Sequence, residues 1–214
     1  MKKIIITSII FVLIMRAAAT AQSYRPATPE EQKELALKIT EASKQLKTLR
    51  CDFVQKKTVS ILSDELVSEG ELLYRQPDKL CWEYVKPYQY SFILNDDKIM
   101  IVSEKEKNII DTNSSKIFKE ISKLIMLGIS GAGIFSEDKF IPKFYVGTQD
   151  CQVVLTPKQK ELKQMFSSIT LTFNKTDYSV NTVEIKEISD DISYITIKNK
   201  QINIPLSDEV FSIR

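Results

Sequence analysis

The side chains that could carry chemistry are few, and the most versatile is missing. The 214-residue chain contains no histidine, the group that most often moves protons near neutral pH. Cys51, Cys81 and Cys151 form no Cys-x-x-Cys pair. A thiolate nucleophile or a His/Cys zinc site therefore lacks its usual partners. An odd number of cysteines leaves at least one thiol unpaired within the chain, and three small buried apolar side chains are the simplest reading. Asp96-Asp97 and Asp190-Asp191 stand in stretches that read as turns. Glu69, Glu71 and Glu83 could meet across neighbouring strands as glycosidase acids do, but nothing in the sequence sets their separation. No serine sits in a Gly-x-Ser-x-Gly turn. Gly128-x-x-Gly131-x-Gly133 follows a helical run instead of opening one after a strand, the wrong order for a phosphate loop. The sequence argues for a non-enzymatic protein without cofactor or metal.

What the chain offers instead is apolar area. Glu69 to Val102 reads as a β-meander: Leu72 and Tyr74 alternate with Glu71 and Arg75, and Leu80, Trp82 and Tyr84 alternate with Cys81 and Glu83. Period-two alternation marks strands with two unlike faces. Gln76-Pro77-Asp78, Lys86-Pro87 and Asn95-Asp96-Asp97 supply the turns. Phe92, Leu94 and Met100 extend the apolar set, and Ile169, Leu171 and Phe173 add a second wall. These eleven residues are the candidate lining of an apolar cavity, the alternative being an ordinary filled core.

Two helices must cover such a sheet. Thr28-Pro29-Glu30-Glu31 is a capping box with proline at the first helical position. Leu35, Ile39, Ala42, Leu46 and Leu49 then predict a helix of about 20 residues with one apolar stripe. A first strand is expected from Cys51 to Ile61. A second helix follows Thr112–Ser115, with Ile117, Phe118, Ile121, Leu124 and Ile125 on its apolar side. Three of the five glycines fall in 127–135, so this helix is expected to be a lid ending in a hinge loop, the alternative being an ordinary helix with a glycine-rich exit. A short helix near Ser136–Lys139, a charged turn from Pro157 to Gln164 and strands at 144–147, 152–156, 169–173, 180–187 and 192–197 complete the expectation, with a last short run around Pro205. The total is about ten strands, mainly β in an α+β chain, as a single domain over residues 22–214.

Residues 1–21 read as a secretory signal: a basic start, an apolar core of about 12 residues, too short for a bilayer that needs about 20, and Ala19-Thr20-Ala21 as cleavage site. No cysteine adjoins that site, so a soluble exported chain is expected. Three of the 30 basic residues leave with it, against 28 acidic ones, so the remainder is close to neutral and gives no reason to expect nucleic acid.

The order of these motifs resembles the periplasmic lipoprotein carrier family, LolA. The resemblance rests on Glu69-Gly70-Glu71-Leu72, Arg75-Gln76-Pro77, Leu80-Cys81-Trp82-Glu83-Tyr84, Pro87-Tyr88 and Asn95-Asp96-Asp97-Lys98. Asp52-Phe53-Val54-Gln55-Lys56 upstream, and Leu155-Thr156-Pro157 with Ile169–Phe173 downstream, also fit. It implies a curved antiparallel half-barrel closed by helices, a periplasmic location and a monomeric chaperone for acylated lipoproteins. It further implies an inner-membrane ABC transporter as donor and an outer-membrane lipoprotein acceptor. A sensor or interaction module on the same fold, without cargo transfer, is the alternative. One departure is visible: the family often has arginine directly before the first proline as a lid latch, whereas here Gln76 precedes Pro77 and Arg75, the candidate latch, stands one residue earlier. One residue along a strand reverses the face a side chain points to.

Overall fold

A computed structural model describes residues 23–62, 64–114, 116–131, 134–135 and 139–213, with the backbone alone at 114 and 116–121. The expected signal segment lies outside the described residues, as does most of the short helix expected at 136–139. The elements in chain order are β1 (Arg25–Pro26), α1 (Pro29–Gln45), β2 (Thr48–Thr58), β3 (Glu65–Arg75), β4 (Lys79–Lys86), β5 (Tyr90–Asn95), β6 (Lys98–Ser103), β7 (Lys107–Asp111), α2 (Lys116–Ser130), β8 (Phe140–Val146), β9 (Asp150–Pro157), α3 (Lys160–Lys163), β10 (Phe166–Asn174), β11 (Val180–Glu187) and β12 (Ile192–Ile202). Single-turn 3-10 helices follow β7 and close the chain at Asp208–Phe211.

The strands form one antiparallel sheet in the order β1-β8-β9-β10-β11-β12-β2-β3-β4-β5-β6-β7. Two meanders, β2–β7 and β8–β12, are joined at the centre by β12 and β2, and the sheet does not close on itself. Sheets of more than about ten strands rarely stay flat, and this one has the topology of an open half-barrel. Among the described residues there are twelve strands in place of the expected ten.

Register assigns the faces. Cross-strand partners share a face, and Cys51, Leu72, Trp82, Phe92 and Ile101 form one continuous row. A second row runs Leu49, Tyr74, Leu80, Leu94, Ile99 and Ile110. These rows belong to the main buried core with Leu171, Phe173, Val183 and Ile195, which makes theirs the inner face. Leu73, Cys81, Ile93 and Met100 pair with one another on the opposite, outer face.

Helix α1 begins where expected: Thr28 caps it, and Glu31 closes the capping box. Arg25 binds both Glu31 carboxylate oxygens, at 2.8 and 2.6 Å, tying the helix start to β1. Those bonds, above all, pull the Glu31 pKa down to about 2. The helix ends before its apolar stripe does. Asn203 accepts a hydrogen bond from the Lys47 backbone N–H, and Thr48 donates to the Ile204 carbonyl, so chain after Gln45 is drawn into the sheet. Leu49 is therefore a strand residue, and β2 starts at Thr48 instead of Cys51. The charged turn at 157–164 contains the short helix α3. Around Pro205 there is no strand.

Gly70 has a steric reason. A Cβ there would stand 2.0 Å from the Glu83 carbonyl oxygen and 2.6 Å from Phe53 Cζ. The missing side chain leaves a dent in the inner face in which the Phe53 ring lies, edge-on to Trp82 (5.1 Å) and Tyr84 (5.0 Å) between ring centres. Gly70→Ala is expected to lower unfolding free energy by about 2–4 kcal/mol, read from urea denaturation, because backbone and a packed ring must both move.

Candidate functional site

The site follows from the path of the chain. Strand β7 ends at one edge of the sheet, and β8 lies near the other. The connection must cross the sheet, and it carries α2, which packs on β11. Leu127, Gly128, Ile129 and Ser130 at its C-terminal end are buried. Tyr74 on β3 reaches Ser130 through a side-chain hydrogen bond, and burial is the main cause of its raised phenol pKa. Gly131 then takes φ +69°, and a Cβ there would press against Phe173, Ile134 and Ile39. A residue with a Cβ would also be strained at that φ. The glycine-containing exit is thus shorter than expected: Gly128 is inside the helix, and the left-handed turn falls at Gly131.

Beneath α2 is an apolar cavity of about 220 Å³. Leu124, Ile125, Gly128 and Ile129 roof it. Phe53, Leu72 and Trp82 form one wall, and Phe166, Ile169, Val183, Ile185, Ile195 and Ile197 the other. Among the described residues no ionisable side chain lines it. Among the described lining side chains the one polar atom is the indole nitrogen of Trp82, which is buried and has no hydrogen-bond partner. At the edge of the cavity the Tyr84 hydroxyl donates to Gln55 Oε1 at 2.6 Å. Burial, then the neighbouring Tyr90, pushes the Tyr84 pKa up to about 12. The nearby Trp82 N–H opposes that rise without reaching hydrogen-bond geometry.

Of the residues named from sequence, Leu72, Trp82, Ile169, Leu124 and Ile125 line this cavity. Tyr84 and Phe92 are half-buried on the same face beside it. Tyr74, Leu80, Leu94, Leu171 and Phe173 are buried in the inner core outside the cavity. The side chains of Ile117, Phe118 and Ile121 lie outside the described residues. Met100 does not belong to the lining. It pairs with Ile93 on the outer face, one residue out of phase with Ile99 and Ile101. The missed lining residues Val183, Ile185, Ile195 and Ile197 alternate in period two, but only the β11–β12 register sets them against α2.

Arg75 is not placed to latch α2. It projects from the outer face, pairs with Asp208, donates to the Leu206 carbonyl at 3.4 Å and stacks on Phe211 at 5.0 Å. Asn95 Nδ2 donates to the Phe211 carbonyl at 3.0 Å. Arg75 therefore holds the C-terminal turn against β4 and β5. The carboxylates stand away from the cavity too: Glu71 and Glu83 pair on the outer face, with Arg50 bound to Glu71, while Glu69 binds Lys86. A separate cleft of about 480 Å³ between α2 and the β3–β4 and β5–β6 turns is bordered by Asp78, Asp96 and Asp97. Burial, then Asp96, raises the Asp78 pKa there, and Tyr74, Leu94, Met126 and Leu127 line the same cleft.

The outer membrane lipoprotein carrier protein LolA model matches residues 44–214. The chain belongs to the LolA family. No curated protein sequence matches it. Among solved structures, an uncharacterized conserved protein from Thermus thermophilus aligns with a TM-score of 0.52 at 8% identity, covering 86% of this chain and 94% of that one. MucB in the Pseudomonas aeruginosa MucA/MucB complex aligns at 0.51 and 9% identity, covering 85% of this chain and 60% of that one. A LolA superfamily protein from Nitrosomonas europaea aligns at 0.44 and 9%, covering 83% and 97%. At these identities the likeness is one of fold. Among the described residues no helix is long and apolar enough to cross a membrane.

The packing of this LolA-family domain makes two predictions. All three cysteines are free and buried, and burial is the main reason their thiol pKa values rise, to about 12 for Cys51 and about 11 for Cys81 and Cys151. Titration with a chromogenic disulfide reagent at pH 8 should label none in the native protein and all three in denaturant. In the cavity roof, a Cβ on Gly128 would meet the Val183 methyls at 3.9 Å, an ordinary contact. Gly128→Ala should therefore raise stability by about 0.5–1 kcal/mol, the usual gain inside a helix, read from the urea midpoint.

Proposed function

We propose that this protein is a soluble periplasmic carrier that shields the acyl chains of lipoproteins and moves them from the inner to the outer membrane. The donor is an inner-membrane ABC transporter and the recipient an outer-membrane lipoprotein acceptor. The observation that carries the reading is the cavity roofed by α2, whose described lining is apolar on the roof and on both walls. Membership of a family described by lipoprotein carriage supports the cargo class.

The cavity is below the roughly 300–1,000 Å³ of pockets that enclose drug-sized ligands. Full occupancy by an acyl chain therefore needs α2 to lift. The region where it can turn is Gly128 to Gly131, where the helix ends in a left-handed glycine. Loading and closure are then two populations of one lid, biased by cargo.

Trp82 is the only tryptophan in the chain, so its emission reports on the cavity alone. Titration with a diacylated lipopeptide should shift that emission and saturate, and lipopeptide with brominated acyl chains should quench it. Leu124→Asp in the roof should weaken the response at least about tenfold. An unchanged Trp82 spectrum at saturating lipopeptide would sink the proposal. Binding without transfer of lipopeptide between donor and acceptor vesicles would replace the carrier by a lipoprotein-binding sensor.

A further inference from the structure

The β2–β3 hairpin is longer than its neighbour. Strand β3 is paired with β2 along its whole length, but with β4 only from Glu69 onward, so residues 65–68 extend past β4, while β12 stays alongside β2 as far as Thr58. The tip beyond them carries Ile61, 89% exposed, and Leu62, 50% exposed. This tip is a built projection. The Ser60 backbone N–H donates to Asp191 at 2.9 Å, its hydroxyl donates to the Ser189 carbonyl at 2.9 Å, and Leu62 N–H closes a turn onto the Val59 carbonyl at 2.8 Å. The β11–β12 turn therefore braces the hairpin so that both apolar side chains stay in water.

The surroundings say what would cover them. The same end of the barrel holds the β4–β5 turn with Tyr88, 77% exposed, and the β11–β12 turn with Ile188, 55% exposed. Three ion pairs stand near the tip, Lys56 with Glu65, Lys57 with Glu187 and Lys86 with Glu69, while Asp64 and Asp190 are exposed carboxylates beside them. The cavity lies toward this end, since its wall includes Phe166 at the start of β10 and Ile185 near the end of β11. Aromatic contacts lead out of it from Trp82 to Tyr84 and on to Tyr90, at 6.3 and 6.0 Å between ring centres. Leu66 continues the inner face toward the tip and is exposed. Apolar tips on several turns, with tyrosines behind them and no excess of basic side chains, fit the depth profile of a bilayer, with aliphatic groups in the acyl layer and tyrosines at the headgroups.

We propose that the tip of the β2–β3 hairpin is a bilayer-contacting element, which places Ile61 and Leu62 in the acyl layer and sets the cavity mouth against the membrane surface. It deepens the carrier reading and rests on it, because the track from the tip to Trp82 is the route an acyl chain would take. Apolar insertion, not charge attraction, drives the contact.

The test is flotation of the purified protein with phosphatidylcholine vesicles, with and without phosphatidylglycerol, at low and high salt. Wild type should float with both vesicle types, independently of salt. I61D/L62D should lose roughly 10- to 100-fold in partitioning, with an unchanged melting temperature and an unchanged Trp82 response to lipopeptide. A variant that floats like wild type overturns the assignment. So does flotation that needs phosphatidylglycerol and vanishes in salt. Wild type that binds lipopeptide yet fails to float also overturns it, and leaves the hairpin to an apolar groove on a partner protein. Loss of the Trp82 response in wild type strikes the carrier reading instead, while the flotation result still decides the hairpin.

Discussion

The structure depends on one topological constraint: consecutive strands β7 and β8 lie toward opposite edges of a twelve-stranded sheet. Chain must cross the inner face to join them, and whatever crosses is placed over the most apolar surface in the molecule. Helix α2 meets that requirement with Leu124, Ile125 and Ile129 turned to the sheet. A roof over an apolar half-barrel is thus a consequence of strand order. The proposed function asks the roof to lift, and the same order favours that: α2 is a connection, not a strand in a hydrogen-bonded ladder.

The inner face could have been filled completely, and at one end it is. Leu49, Tyr74, Leu80, Leu94 and Leu127 close the end nearer the β3–β4 turn. Toward the other end, the dent at Gly70 draws Phe53 flat against β3 and β4. Trp82 and Tyr84 pack on its edges, and space remains between that aromatic wall and the aliphatic wall of β10–β12. Rigid rings on one side and branched aliphatic chains on the other resist collapse into the gap, since neither has the freedom of methionine or lysine to refill it.

Much of this architecture is legible from residues alone. Alternation through 69–102 marks the meander, and Thr28, Pro29 and Glu31 mark the start of α1, because caps and pleats are local physics. The site is legible only in part. Alternation names an apolar face but not which of its residues face a void, so Leu72 and Trp82 line the cavity while Leu80 and Leu171 are plain core. Met100 shows the limit most clearly. The run Ile99-Met100-Ile101 is apolar on both faces, and only the pairing of Leu94 with Ile99 fixes which residues turn inward. The role of Arg75 is similarly out of reach of sequence, because its partner Asp208 stands 133 residues away in a segment without periodicity.

The lack of ionisable side chains among the described lining residues sharpens the energetics of the proposed function. Shielding an acyl chain of about 15 methylenes is worth up to ~12 kcal/mol at ~0.8 per methylene. That energy cannot be discarded at each delivery without an energy source. It does not need to be, because a chain passing from cavity to bilayer exchanges one apolar surrounding for another, and the two terms largely cancel. The cost that remains is water exposure during passage. An apolar track running from Trp82 past Tyr84 and Tyr90 toward the hairpin tip shortens that exposure. A roof that closes down to a small cavity keeps the protein itself from exposing its lining between journeys. In this reading direction comes from the donor and the acceptor, and the carrier contributes a low barrier in both directions.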